Sequence, residues 1–290
     1  LGTYYFSVKN YPNAIEHLSL VNLTLLDEKN RLECNFKLGY AYMNVKDFDK
    51  AGLVFQRIRS TKNKYTYAAN YYLGYVNYKN GLYDLAELSL KKSAENAAYK
   101  SLVPQVMVNV YSRQKRYDTL IAYSKRILTS QESVKNVEEV YIYTAEAYYQ
   151  KKDYTNAIVY FDKFLAANGK MNDGAKFRYG FSLYKTAKYE LAVEQLKVIA
   201  EQYDSTGQSA GYYLGLAWLK TDNKAFAWNA FSQARKMAFN TNISAQATIE
   251  YGKLGIELQK FTEVILSLIH ISEPTRLRRI SYAVFCLKKK

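Results

Sequence analysis

The stretch that decides the fold runs from residue 38 to residue 58 and reads LGYAYMNVKDFDKAGLVFQRI. Apolar and small residues recur three or four positions apart on both sides of the segment VKDF at 45–48, which is the spacing of buried positions on a helix. The pattern predicts two α-helices joined by a tight turn. Gly39 and Ala51 stand twelve positions apart, and side chains this small let two helices cross closely.

The same pattern recurs along the chain with a period of about 35 residues, and the spacings between copies are 37, 35, 34, 37, 35, 35 and 37. The residues equivalent to Ala51 are Ala14, Ala51, Ala86, Leu120, Ala157, Ala192, Ala227 and Val264. Twelve positions before most of them stands a second small residue, at Gly39, Gly74, Ala145, Gly180, Gly215 and Gly252. A helical repeat of this length predicts a stack of antiparallel helix pairs, each buried against its neighbours.

These residues resemble the tetratricopeptide repeat (TPR) family. Its aromatic position on the first helix of each unit, the A helix, is occupied by Tyr42, Tyr111, Tyr148 and Trp218, and the aromatic residue four after the alanine of the second, B, helix by Phe55, Phe161 and Phe231. The resemblance covers residues 1–265 and implies an all-α, right-handed superhelical solenoid of about seven antiparallel helix pairs. One copy departs from the family pattern, with Val108 and Leu120 at the small positions and Pro104 in its A helix. We expect that copy to be distorted but present.

The last segment, residues 266–290, has a different character. It resembles the in-frame translation of a sequencing-library adapter over Leu266 to Arg276 and again over Ile280 to Leu287, with three lysines after it. We therefore expect a TPR array at 1–265, truncated at both ends, and a non-native tail at 266–290. The tail carries six Lys or Arg residues and one Glu, so without it the formal charge would fall from +15 to +10.

Catalytic and metal-binding chemistry finds little support in the composition, which includes only two histidines and two cysteines. His17 has no carboxylate or cysteine at a metal-ligand spacing, and Cys34 fits a buried thiol better than a nucleophile. We expect no enzyme activity, no cofactor, no metal and no small-molecule substrate. No segment of the chain is expected to span a membrane.

The candidate partner site lies on the A helices. In the TPR family the concave surface is lined by defined A-helix positions, and the resemblance implies that these positions carry aromatic residues here. The predicted groove residues are Phe36, Tyr40, Tyr71, Tyr75, Tyr78, Tyr149, Phe177, Phe181, Tyr184 and Tyr212. Rings at such positions either grip a protein or peptide segment or pack between adjacent A helices, and the sequence leaves both readings open.

Two other partner classes are less favoured. The lysine and asparagine of the TPR clamp for acidic chaperone C-termini are matched only by Asn109, because Gln105 stands at the lysine position and Glu139 and Glu146 follow. Cations near the ends of successive A helices form a basic ridge: Lys46, Lys79, Lys115, Arg116, Lys151, Lys152, Lys185, Lys220 and Lys260. Such residues complement the helix dipole, so a nucleic-acid partner is the weaker explanation.

The sequence thus predicts a non-enzymatic protein-interaction scaffold. Its resemblance to long bacterial TPR proteins suggests a cell-envelope assembly role. The alternatives are a sensor or regulatory TPR region of a larger signalling or transcription-regulating protein, and an accessory domain of an enzyme.

Overall fold

The structure is a computed structural model that describes residues 1–60, 63–130 and 133–269. Over these residues the chain is all-α. The helices are α1 (Gly2–Ser7), α2 (Tyr11–Ser19), α3 (Glu28–Asn44), α4 (Phe48–Ile58), α5 (Thr66–Lys79), α6 (Tyr83–Ser93), α7 (Ala97–Lys100), α8 (Val103–Arg113), α9 (Tyr117–Thr129), α10 (Val137–Gln150), α11 (Tyr154–Ala166), α12 (Asp173–Lys185), α13 (Tyr189–Ala200), α14 (Ser205–Lys220), α15 (Lys224–Lys236), α16 (Thr241–Glu257) and α17 (Phe261–Ile269), with one 3-10 turn at Leu23–Leu25. None of the described helices is long and apolar enough to cross a bilayer.

The helices form two compact units, the first at residues 1–169 and the second beginning at residue 170. In the first unit the antiparallel pairs are α1/α2, α3/α4, α5/α6, α8/α9 and α10/α11; in the second they are α12/α13, α14/α15 and α16/α17. The predicted all-α array of antiparallel helix pairs is confirmed. The four-residue helix α7 is an addition that the repeat pattern does not contain.

Each A–B turn is closed in the same way. One residue adopts a left-handed conformation, and the next backbone N–H donates to the carbonyl five residues earlier, which satisfies an otherwise unpaired carbonyl of the helix end. The left-handed residues are Lys9, Lys46, Gly81, Lys115, Lys152, Ala187, Asp222 and Gln259. Their bonds include Asp47 N–H to Tyr42 O at 3.0 Å and Asn223 N–H to Trp218 O at 2.8 Å. Seven of these eight turns therefore adopt a left-handed conformation without glycine.

The helix crossings follow the predicted register. All eight residues equivalent to Ala51 are buried. Opposite them, the small A-helix residue accepts a large side chain from the B helix: a Cβ placed on Gly215 would lie 2.6 Å from the Phe231 ring, and one on Gly74 would lie 2.6 Å from Leu90. The equivalent partner of Gly252 would be Leu268, whose side chain lies outside the described residues. The two helices therefore approach closely because a large side chain of the B helix packs over a glycine of the A helix.

The departing pair α8/α9 is present, and Pro104 stands in the first turn of α8 as predicted. Its crossing reverses the usual sizes, because Val108 and Leu120 are large where the other pairs are small, and Ser124 is small where they carry Phe or Leu. All three residues are fully buried.

At the C-terminal end, α17 runs from Phe261 to Ile269 and so continues through the first four residues of the predicted tail. The rest of that tail, residues 270–290, lies outside the described residues. The boundary at residue 265 therefore stays a prediction.

Candidate partner-binding surfaces

In the first unit, three predicted groove residues of α3 and α5 assemble around one ring, Tyr72. The centroid of Tyr72 lies 5.9 Å from that of Phe36, 5.2 Å from that of Tyr40 and 5.4 Å from that of Tyr71. Tyr72 also stacks on Phe55 of the α3/α4 crossing at 5.6 Å. We call the set of Phe36, Tyr40, Tyr71, Tyr72, Tyr75 and Tyr78 the first aromatic surface. Because its central ring rests on the core, this surface is held rigidly.

The second unit repeats this arrangement around Tyr213. Its ring centroid lies 4.6 Å from that of Phe181, 5.7 Å from that of Tyr184 and 5.3 Å from that of Tyr212. Phe177 completes the cluster at 6.3 Å from Tyr213. We call these five residues the second aromatic surface. Offset and edge-to-face contacts at these distances add to the stability that ring burial alone provides.

Three predicted groove tyrosines near the A-helix ends share a separate contact. Tyr78 lies 6.2 Å from Tyr83, Tyr149 lies 5.9 Å from Tyr154, and Tyr184 lies 5.8 Å from Tyr189. In each case the second ring belongs to the first residue of the B helix in the same pair. Each of these tyrosines therefore has one ring contact within its own helix pair.

All ten predicted groove residues are half-buried, neither core nor fully solvated. Each ring packs against other rings and still exposes part of its surface. The packing and the partner-binding interpretations that the sequence left open are therefore compatible. Burial raises the pKa of the Tyr71, Tyr184 and Tyr212 hydroxyls, with neighbouring tyrosines and, for Tyr212, Glu250 adding to the effect. These hydroxyls stay neutral at physiological pH and can both donate and accept hydrogen bonds.

Between α5, α8 and α10 the A-helix face is polar. The Tyr78 hydroxyl donates to Asn109 Oδ1 at 3.3 Å, and Asn109 Nδ2 donates to Glu139 Oε2 at 3.5 Å and to the Gln105 carbonyl at 2.8 Å. Asn109 therefore links three successive A helices. Its amide is engaged inside the protein, next to a carboxylate that would repel an acidic peptide.

The basic ridge is partly neutralised. Arg116 Nη1 lies 2.6 Å from Glu87 Oε2, and Lys151 pairs with Asp118. Lys46, Lys115 and Lys152 occupy the left-handed turn positions and are exposed. Much of this charge thus serves the turns and the contacts between successive pairs.

Cys34 and His17, the remaining candidate residues, both pack against other parts of the protein. Cys34 is buried as predicted, and burial raises the pKa of its thiol despite the opposing charge of Lys37. The His17 ring stacks on Tyr5 at 5.2 Å. Within residues 1–60, 63–130 and 133–269, no three His, Cys, Asp or Glu side chains are grouped so as to hold a metal ion.

Sequence reasoning missed the two central rings, Tyr72 and Tyr213. Both directly follow a predicted groove residue, in the doublets Tyr71-Tyr72 and Tyr212-Tyr213. The doublet was a usable signal, because adjacent helical residues point about 100° apart and one of two adjacent tyrosines must turn toward a neighbouring helix.

No family model and no curated protein matches the sequence. Among solved structures, the chain is similar to the C-terminal part of a TPR repeat-containing protein from Cytophaga hutchinsonii, with TM-score 0.64 and 16% identity over 84% of this chain and 97% of that one. YrrB, described as a TPR protein with an unusual peptide-binding site, aligns with TM-score 0.56 and 16% identity over 67% of this chain and 96% of that one. A tetratricopeptide repeat protein from Parabacteroides merdae aligns with TM-score 0.51 and 14% identity over 85% and 95%. The chain has a TPR-like fold.

Proposed function

We propose that the protein is a non-enzymatic scaffold that binds a peptide or protein segment on the aromatic surfaces of its A helices. The observation that carries the proposal is the pair of ring clusters centred on Tyr72 and Tyr213. In both, half-exposed rings are held in place by a more central one. The peptide-binding site ascribed to YrrB is consistent with this use of the fold.

The physical basis is the low entropy cost of rigid rings. A free aromatic side chain loses rotamer freedom when it binds, whereas rings already packed at 4.6–6.3 Å from Tyr213 have little left to lose. Each ring offers an apolar face for a partner side chain and, in tyrosine, a hydroxyl for its backbone. Residues with these properties dominate the binding energy of many protein interfaces.

The test is a selection of peptides on the immobilised full chain, followed by affinity measurement with single variants. Tyr75→Ala in the first surface and Tyr184→Ala in the second should weaken a peptide bound at the respective surface by more than about 1 kcal/mol. Tyr203→Ala is the matched control, since Tyr203 is 75% exposed and lies outside both surfaces. Thermal unfolding of each variant separates lost binding from lost folding.

One outcome of these measurements would contradict the proposal. If Lys115→Gln and Lys152→Gln abolish binding while both tyrosine variants bind normally, the partner occupies the basic ridge and the aromatic-surface proposal is wrong. A modest change in the salt dependence of association is the effect expected from these two lysines.

The cellular role of the protein is proposed from the sequence resemblance alone. We propose that the full-length protein takes part in a bacterial cell-envelope assembly. A sensor or regulatory region in a larger protein and an accessory domain of an enzyme are the rivals, and the sequence flanking residues 1–265 would distinguish the three.

A further inference from the structure

A cavity of about 600 Å³ lies in the first unit, where α8 is flanked by α6 and α9, and none of its lining residues belongs to an aromatic surface. Its volume is within the range of about 300–1,000 Å³ typical of small-ligand sites and is many times that of a water molecule. It is lined by Val103, Met107 and Tyr111, which are buried residues of α8. Tyr123 and Ile127 of α9 and Ala94, which follows α6, also line the cavity.

The charged residues that line this cavity are mostly cationic. Among the described residues that line it, Lys91, Lys100 and Arg126 are cations and Glu95 is a carboxylate. Glu95 already pairs with Lys92 at 2.7 Å, which lowers its power to repel an anion. Lys91 and Arg116 pair with Glu87 at 2.7 and 2.6 Å, so Lys91 is already engaged by a carboxylate and Arg126 is the main source of positive charge on the α9 side of the cavity.

Tyr123 also lines the cavity and supplies a hydroxyl group. Burial raises the pKa of its hydroxyl, with the nearby Tyr111 adding to the shift and Arg126 opposing it, so the group keeps its proton. Among the described residues this hydroxyl has no hydrogen-bond partner, although Tyr111 beside it donates to Glu87 Oε1 at 3.0 Å. The Arg126 guanidinium carbon lies 5.4 Å from the centroid of the Tyr123 ring, so the cation and the donor border the same space.

From this combination we propose that the cavity binds a small amphipathic anion, a carboxylate or sulfonate on an apolar body. Arg126 and the Tyr123 hydroxyl bind the anionic head, since charge-assisted hydrogen bonds are the stronger kind. Val103, Met107 and Ile127 contact the apolar body. The site is independent of the proposed peptide-binding function, because its residues belong to neither aromatic surface.

The test uses two fluorescent probes of similar shape on the full chain: the anion 8-anilinonaphthalene-1-sulfonate and the neutral N-phenyl-1-naphthylamine. Arg126→Gln and Tyr123→Phe should each weaken binding of the sulfonate by about fivefold or more and change binding of the neutral probe by less than about twofold. Ala94→Trp, which adds a large side chain to the lining and reduces the cavity, should weaken both probes. Tyr123→Phe keeps the aromatic ring and removes only the hydroxyl. It therefore still tests the proposal if Ala94→Trp disturbs folding.

Arg57→Gln is the matched control, because Arg57 stands on α4 at the same repeat position as Arg126 on α9 and is exposed. Equal loss of sulfonate binding in Arg57→Gln and Arg126→Gln would overturn the proposal, because it would show general attraction by surface charge. Unchanged binding of both probes in Ala94→Trp would overturn it as well. So would loss of the sulfonate in Tyr75→Ala or Tyr184→Ala, which would locate the probe on the aromatic surfaces.

Discussion

The crossing of α14 and α15 and the crossing of α8 and α9 occupy equivalent places in their pairs and are packed in opposite ways. In the first, Gly215 and Ala227 leave room that the fully buried Phe231 fills. In the second, Val108 and Leu120 supply the volume themselves, and the residue equivalent to Phe231 is Ser124. The volume of the first crossing thus comes from the B helix alone, and that of the second comes from both helices.

The difference shows that the crossing constrains total volume more than residue identity. Protein cores tolerate exchanged side chains when the summed volume is kept. The α8/α9 pair also has an additional polar attachment to α6. Glu87 of α6 accepts from the Tyr111 hydroxyl at 3.0 Å and pairs with Lys91 at 2.7 Å and Arg116 at 2.6 Å.

The largest expected difference between the crossings lies at the position of Phe231. Phe231→Ala should lower the free energy of unfolding of the second unit by about 3–5 kcal/mol, because it leaves a cavity under Gly215. Ser124→Ala should be neutral or slightly stabilising, since the buried Ser124 Oγ has no hydrogen-bond partner among the described residues. Urea unfolding of each variant measures both. Equal losses would contradict the conclusion that the two crossings are packed in opposite ways.

A larger side chain at Gly215 is a second test of the same crossing. Gly215→Leu should destabilise by about 1–3 kcal/mol, because even its Cβ would lie 2.6 Å from Phe231. The double variant Gly215→Leu with Phe231→Ala, which copies the size order of α8/α9, should recover part of this loss. Lys79→Gln, at an exposed site, should stay within about 0.5 kcal/mol. A double variant no more stable than the sum of its single changes would contradict volume compensation.

The polar attachment of the α8/α9 pair predicts a pH dependence. Burial alone would raise the pKa of Glu87, but hydrogen bonds from Lys91, Arg116 and Tyr111 outweigh it and hold the pKa below its ordinary value. A lowered folded-state pKa stabilises above the unfolded value of about 4.3, and this stabilisation is lost as the pH falls through the folded value. Glu87→Gln should therefore cost about 1–2 kcal/mol at pH 7 and much less near pH 3.

The control for this carboxylate is Glu194→Gln, on the exposed face of α13, which should change the unfolding free energy by less than about 0.5 kcal/mol. Chemical unfolding across pH 3 to 7 gives both curves. A Glu87→Gln loss that is the same at both pH values would assign the effect to packing and not to charge.

The smallest expected effect concerns the turns, which are the same in both pairs. Lys115 of α8/α9 has φ 56° and Asp222 of α14/α15 has φ 58°. Glycine adopts this conformation without a Cβ penalty, so Lys115→Gly and Asp222→Gly should each stabilise by about 0.5–1 kcal/mol. Thermal unfolding that shows a gain in one and a loss in the other would mean that the turns, and not only the crossings, differ.

Much of the fold could be predicted from local spacing. The register of Ala51 and its equivalents, the crossing residues Gly39 and Gly215 and the presence of the α8/α9 pair were all predicted correctly. The crossing residue of the α1/α2 pair, Gly2, was not predicted, although a Cβ on it would lie 2.8 Å from Leu18 in the same way. The extra helix α7 has no counterpart in other copies, so periodicity held no information about it.

The candidate site was predictable only in part. Position in the repeat placed ten aromatic residues on the A helices, and the structure leaves all ten half-buried. Position in the repeat did not reveal that Tyr72 and Tyr213 are the central rings. Nor did it reveal the cavity beside Met107, because residues of α6, α7, α8 and α9 line that space together.

The sequence by itself determined the period, the pairing of helices and the closely packed positions, since each of these follows from contacts within one helix pair. Only the tertiary structure decided how the exposed faces of successive pairs combine. The Tyr78 hydroxyl finds Asn109 31 residues away, and Arg116 finds Glu87 29 residues away. Such contacts depend on side-chain direction and on the spacing between pairs, which a repeat length of about 35 residues leaves free to vary.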